Sequence, residues 1–168
     1  MPVNPALLSE ELVQFLESGI SVLVGSRDAR LMPDCVRAVG VRLESGGAEM
    51  AVFLPRVTSQ TTLANLADNG RIAICFSRPV DHRSVQVKGR VLAIADATAA
   101  DRKWIDRYRT ELVQCWGWVG VPSRTTLRMV HWPCAAVRLA IESSFVQTPG
   151  PGAGAPLDGA QSTAPQPS

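Results

Sequence analysis

Apolar side chains recur every third or fourth position in some stretches of the chain and every second position in others, and this alternation divides it into elements. Leu8, Leu12, Phe15 and Leu16 form one stripe, Ser9 with Glu10 and Glu11 gives it a capped acidic start, and Gly19 supplies a stop, so a first helix is predicted. Ile20 to Gly25 is a short apolar run rich in β-branched residues, and Arg27 to Pro33 reads as a loop. Cys35 to Leu43 and Glu49 to Leu54 are strands joined through Ser45-Gly46-Gly47 into a hairpin. Thr58 and Ser59 precede a second helix with Leu63, Leu66 and Ala67 on its apolar face and Gly70 at its end.

Arg71 to Ser77 is nearly all apolar and Arg78-Pro79 breaks it. Ser84 to Ala95 then sets Val85, Val87, Gly89, Val91 and Ala93 on one face against Gln86, Lys88, Arg90 and Leu92 on the other. Thr98 with Asp101 opens a third helix in which Trp104, Tyr108 and Leu112 recur every four residues, and Pro133 precedes a last strand from Ala135 to Glu142. The prediction is a mainly β, α+β fold: a six-stranded antiparallel sheet closing into a barrel, flanked by three helices.

A length of 168 residues allows one domain. The last twenty residues, Pro149 to Ser168, hold five Pro and four Gly, with Leu157 as their only large apolar side chain. They cannot build a core, so the division is a domain over 1–148 and a tail over 149–168 that a groove could order. With a net charge of +2 there is no broad basic face, and no nucleic-acid partner is expected. The first residues lack a basic stretch followed by an apolar run, and no 18 consecutive residues are apolar, so the expectation is a cytoplasmic protein with no membrane partner.

Fifteen of the seventeen basic residues are Arg, the side chain that grips phosphate or carboxylate in two places, although a base-composition bias produces the same excess. Cys35, Cys75, Cys115 and Cys134 are 40, 40 and 19 residues apart, so no Cys-x-x-Cys pair points to zinc or a redox dithiol, and reduced thiols are expected. His82 and His131 are isolated from other ligand types, no Gly-x-Ser-x-Gly elbow exists, and Asp34 and Asp81 read as turn residues. Trp116, Trp118 and Trp132 fall within seventeen residues, beside Cys115 and His131, and suit core or interface packing or stacking on a planar ligand.

The order of elements, with three motifs, resembles the FMN-binding split barrel of the pyridoxamine 5'-phosphate oxidase type. Arg37-Ala-Val-Gly-Val-Arg42 is similar to that family's Arg-x-Val-x-x-Lys; Asn65-Leu-Ala-Asp-Asn-Gly-Arg-Ile-Ala-Ile74 is similar to its Leu-x-x-Asn-Pro-Arg passage; and Arg83-Ser-Val-Gln-Val-Lys-Gly-Arg-Val91 is similar to its Arg-Gln-Val-Arg-Val-x-Gly-x-Val. Together they span about residues 8 to 148. The resemblance implies FMN as cofactor, a homodimer with cofactor sites at the subunit interface, and flavin-dependent oxidation or reduction of a small molecule. The alternative is a non-catalytic module that carries a flavin, a deazaflavin or haem. A single-strand-binding barrel is disfavoured by the one Tyr and the near-neutral charge.

Carried onto this chain, the resemblance assigns cofactor binding to Arg37, Arg42, Leu54, Arg56, Ser59, Thr61, Thr62, Ser84 and Gln86. A flavin phosphate wants arginine forks, hydroxyls and free helix amides, and the ring edge wants a cation. Residues five apart on a regular strand face opposite ways, so Arg37 and Arg42 can meet one ligand only if the strand bends, and Gly40 is the place for it. The chain departs from the family where consecutive Arg and Lys begin the second helix: it has Thr58-Ser59-Gln60-Thr61-Thr62. It also replaces the family's C-terminal Arg-x-His-Asp-Arg with Gln147-Thr-Pro-Gly-Pro-Gly-Ala-Gly154, which argues against pyridoxamine phosphate as substrate.

Overall fold

The computed structural model describes residues 8–157. Its elements run α1 (Glu10–Leu16), β1 (Ser21–Arg27), β2 (Pro33–Arg37), β3 (Val41–Glu44), β4 (Glu49–Pro55), α2 (Gln60–Asn69), β5 (Arg71–Ser77), β6 (Ser84–Asp96), α3 (Ala99–Gly117), α4 (Ser123–Leu127) and β7 (Cys134–Val146). The strands form one antiparallel sheet in the order β2-β1-β5-β6-β7-β4-β3.

The six strands expected are therefore seven, and the three helices four. The predicted strand Cys35 to Leu43 divides because its halves have different partners. Ala38 donates its N–H to Val22 O on β1, whereas Val39 donates to Phe53 O on β4, each at 3.0 Å. Ala38 to Gly40 is where the chain crosses between them, as the bend at Gly40 foresaw, and β2 and β3 become the two edges of a sheet that no ladder closes. The fourth helix, α4, is a five-residue turn with no side-chain cap. β7 runs to Val146, four residues past its predicted end.

Capping explains the helix starts. Ser9 Oγ accepts from Leu12 N at 3.2 Å, and Thr98 and Asp101 form a reciprocal capping box at the start of α3. Gly19, at φ 65°, sits so close to α3 that a Cβ there would lie 2.3 Å from Glu111 Cβ. The buried face of α2 is Thr62, Asn65 and Leu66, where Leu63, Leu66 and Ala67 were expected. Polar residues sit inward because they bond the sheet end: Asn65 Nδ2 donates to Ser26 Oγ and Thr62 Oγ1 to Asp34 Oδ2. Asp34 is thus a strand residue, not a turn residue. On β6 a bulge at Leu92 ends the predicted alternation, so that Ile94 packs on the core and Ala93 is exposed.

The main core fills the concave side of the sheet with Leu16, Val22, Val24, Met50, Val52, Leu54, Ile74, Phe76, Val87, Val137 and Leu139. A second cluster, Val39, Ala51, Phe53, Ile105 and Cys134, lies between the convex side of β4 and α3. The described part of the tail doubles back on the end of β7: Val146 N donates to Ala155 O, and Leu157 N to Ser144 O. The remainder of the expected tail, 158–168, lies outside the described residues.

Candidate functional site

Strand register builds the site on the convex face of β1, β2, β5 and β6. Side chains alternate across a strand, so pairing places Arg37, Leu23, Cys75 and Gln86 in one transverse row with all four pointing outward. Successive strands are about 4.8 Å apart, which sets Arg37 and Gln86 about 14 Å apart along the sheet. A neighbouring outward row consists of three hydroxyls, Ser21, Ser77 and Ser84, contributed by β1, β5 and β6.

Arg37 bridges the two rows. Its Nη1 donates to Ser21 Oγ at 2.8 Å, and its guanidinium carbon lies 4.9 Å from the centroid of the Trp116 ring, at the C-terminal end of α3. No carboxylate pairs with it among the described residues. Burial accordingly pulls its pKa below the usual arginine value. Arg37 also lines a cavity of about 250 Å³ with Val36, Val39, Pro55, Thr58 and the Met129-Val130 segment, so the same side chain faces the approach to α2.

The start of α2 has no side-chain cap, and Ser59 Oγ is buried there without a hydrogen-bond partner. An uncapped helix start presents free N–H groups and a positive dipole end. Ser59, Thr61 and those amides suit an anion, and Arg56 stands just before them, held only by an exposed pair with Asp96. Asp34 works against it, since its carboxylate sits on Thr62 and occupies that hydroxyl.

Other sequence-assigned residues are committed elsewhere. Arg42 donates to Asp101 at 2.6 Å and to Glu44 at 2.9 Å, on the convex side of β3 against the start of α3. Asp101 and Trp116 are fifteen positions apart on α3, about 22 Å along its axis, so the two arginines serve opposite ends of that helix. Leu54 is fully buried in the main core. Ser84 lies in the hydroxyl row, with its N–H donated to Thr148 Oγ1 at the root of the tail. The Gln86 side chain has no protein hydrogen-bond partner among the described residues, although its backbone is paired in the sheet.

Sequence reading missed the β5–β6 turn as part of this face. Asp81 accepts from Arg78 Nε and Nη2 and from Arg83 N, and Ser84 Oγ lies 3.0 Å from His82 O. The turn so knit holds His82 at φ 59°, a conformation rare outside glycine. The Arg78 guanidinium holds the Asp81 carboxyl down at about 2. The sequence signals there, the Arg78-Pro79 break and Asp81 as a turn residue, mark a turn but not the face it covers.

No protein-family model matches the chain, and no curated protein does so either. Solved structures do match. HupZ of Group A Streptococcus is 20% identical, with 88% of this chain and 100% of that one covered and a TM-score of 0.54. An F420 reductase is 14% identical over 82% of this chain and 98% of its own, at a TM-score of 0.56. A protein from Clostridium acetobutylicum related to general stress protein 26, described as of the pyridoxinephosphate oxidase family, is 14% identical over 83% and 89%, at 0.51. The fold is that of the pyridoxamine 5'-phosphate oxidase-like family. That fold is shared by proteins as different as HupZ and an F420 reductase, so it does not name a ligand. No helix among the described residues is long and apolar enough to cross a membrane.

Proposed function

We propose that this chain binds FMN on the convex face, with the phosphate at the start of α2 and the ring system extending past Arg37 toward Gln86. The observation that carries the reading is one cavity in which Arg37, a half-buried cation with no carboxylate partner, faces Thr58 at the uncapped start of α2. The names of the structural neighbours, an F420 reductase and a member of the pyridoxinephosphate oxidase family, support a flavin-type cofactor.

In this reading Ser59 Oγ, Thr61 and the free amides of α2 bind the phosphate, with Arg56 swinging from Asp96 to join them. Arg37 holds the electron-rich edge of the ring, and Gln86 donates from the far end of its row. Bound FMN supplies hydride acceptance, and the protein contributes position, charge and exclusion of water. The reaction is then a flavin-dependent oxidation or reduction of a small molecule. The outward row of exposed Leu23 and half-buried Cys75 and Gln86 would take a second copy, which would complete the wall around the cofactor.

Titration of the purified protein with FMN, followed by quenching of flavin fluorescence, tests this. Arg37→Ala is expected to weaken FMN ten- to a hundredfold, corresponding to roughly 1.5 to 3 kcal/mol for a charge-assisted contact. Equal affinity for FMN and riboflavin in wild type would remove the phosphate from α2. A light-scattering mass near the 18.0 kDa chain mass would remove the shared wall.

A further inference from the structure

Beside Arg37 and Trp116 lies an unassigned cavity of about 420 Å³ under the β5–β6 turn. Its polar side is the hydroxyl row Ser21, Ser77 and Ser84 with Arg78 and His82, and its apolar side is the Trp116 indole backed by Pro79, Val119, Val121 and Pro149. That volume lies within the range of small-molecule sites, and a few converging polar groups on an apolar wall is their usual make-up.

Counting hydrogens identifies the charge of the guest. Arg78 spends Nε and Nη2 on Asp81, which leaves Nη1 without an acceptor among the described residues. Ser21 Oγ accepts from Arg37, so its own O–H remains to be given away. Ser84 Oγ lies 3.1 Å from Ser77 Oγ and 3.0 Å from His82 O, so its single hydrogen stays inside the protein, and where it goes to Ser77 the Ser77 hydroxyl, otherwise 3.9 Å from Cys75 Sγ, can turn its own hydrogen to a guest in the cavity. No carboxylate is among the residues lining the cavity, and Asp81 in the adjoining turn is already occupied by Arg78 and the Arg83 amide. Donors thus exceed acceptors along one side, and Arg37, bonded to Ser21 at the cavity's edge, adds a cation with no carboxylate partner among the described residues.

The shape of the guest follows from the opposite side. The Arg37 guanidinium rests on the Trp116 ring and fixes its orientation, and the cavity in front of that indole is bounded by proline and valine, so a flat ring fits there better than a branched chain.

We propose that this cavity binds a planar aromatic carboxylate, its ring against Trp116 and its carboxylate on Arg78 Nη1 and the Ser21 and Ser77 hydroxyls. The site is separate from the start of α2 and does not require the flavin reading. Where FMN is bound beyond Arg37, the carboxylate is the class of small molecule that the cofactor would meet.

Benzoate and benzamide, which share a ring and differ in charge, are the probes, measured by ligand-observed NMR on the full chain with and without saturating FMN. Benzoate is expected to bind at least tenfold more tightly than benzamide. Arg78→Met keeps an unbranched side chain but removes the guanidinium, and should cut benzoate affinity about tenfold while leaving benzamide unchanged. Should that variant fail to fold, Ser21→Ala with Ser77→Ala is a milder change with the same expected direction, and Trp116→Leu should weaken both probes. Equal binding of the two probes, or benzoate binding indifferent to all these variants, overturns the proposal. Strict competition between FMN and benzoate also overturns it, by assigning the cavity to the flavin and so upholding the flavin reading. Benzoate binding in a chain that does not bind FMN upholds the proposal and overturns that reading.

Discussion

Removing the contact between Arg42 and Asp101 should cost stability and leave the face that carries Arg37 intact. Asp101 is a nearly buried carboxylate with three donors: it accepts from Thr98 N at 2.8 Å, Thr98 Oγ1 at 2.9 Å and Arg42 Nη1 at 2.6 Å, with its side chain only 10% exposed. Loss of a cap costs about 1 kcal/mol. A hydrogen bond between charged groups contributes roughly 1.5 to 3 kcal/mol, and the lower end applies because the Arg42 side chain is 33% exposed and partly hydrated. Asp101→Ala should therefore destabilise by about 2.5 kcal/mol, a drop in Tm of roughly 5 to 10 °C for a chain of this size. Arg42→Ala should cost about 2 kcal/mol, and the double variant should reveal a coupling of about 1.5 kcal/mol.

Urea denaturation followed by circular dichroism measures all three. Burial alone would raise the Asp101 pKa, but the bonds from Thr98 and Arg42 outweigh it and hold the carboxyl below its ordinary value. A depressed carboxylate adds stability that is complete above its unfolded pKa and disappears as pH falls through the folded one, so the gap between wild type and Asp101→Asn should close in acid. A coupling below about 0.5 kcal/mol refutes the reasoning. An Arg42→Ala variant of unchanged urea midpoint that loses FMN affinity would make Arg42 a cofactor residue after all.

Three further outcomes follow from the same geometry. Gly89→Ala puts a Cβ 2.3 Å from Ala140 O across the β6–β7 ladder and should destabilise by roughly 3 kcal/mol in thermal unfolding, whereas a change under about 0.5 kcal/mol would show that the strands can part there. Cys35, on the exposed side of β2, should react with a thiol reagent at neutral pH long before Cys134, which is buried and whose thiol is pushed up to about 12, chiefly by desolvation; mass spectrometry that finds Cys134 labelled first contradicts this. The Asp81–Arg78 clamp should persist in acid until pH falls from about 4 toward 2, because the Asp81 carboxyl is held at about 2, and an NMR titration midpoint near the ordinary aspartate value would mean the clamp is not formed in solution.

Elements with local signals were legible. Ser9 and the Thr98–Asp101 box mark helix starts by chemistry confined to four residues, and β5 is a short apolar run between breakers. The division of Cys35 to Leu43 was not, because every residue there suits a strand and the break arises only when its halves find different partners. Leu92 fits the alternation in sequence, and only the pairing with β7 expels it. A family-like motif nominated Arg37 for cofactor contact. The same motif named Arg42, whose partner Asp101 lies 59 residues away and cannot be read from spacing. The hydroxyl row is likewise a product of register across three strands, as no local pattern links Ser21 to Ser77 and Ser84.

The sheet order also governs what happens while the chain is being made. β3 and β4 are neighbours in sequence, but the other side of β4 pairs with β7, where Phe53 faces Ala136, 83 residues later. Every residue of β4 from Met50 to Pro55 is buried. A nascent chain at the ribosome therefore carries an apolar strand with one open edge until Cys134 and the residues after it have emerged, and it can dock only when they do. Premature stops before Cys134 should accordingly yield aggregates rather than partly active fragments, and folding should be slow for the chain's size because its deciding ladder joins distant segments.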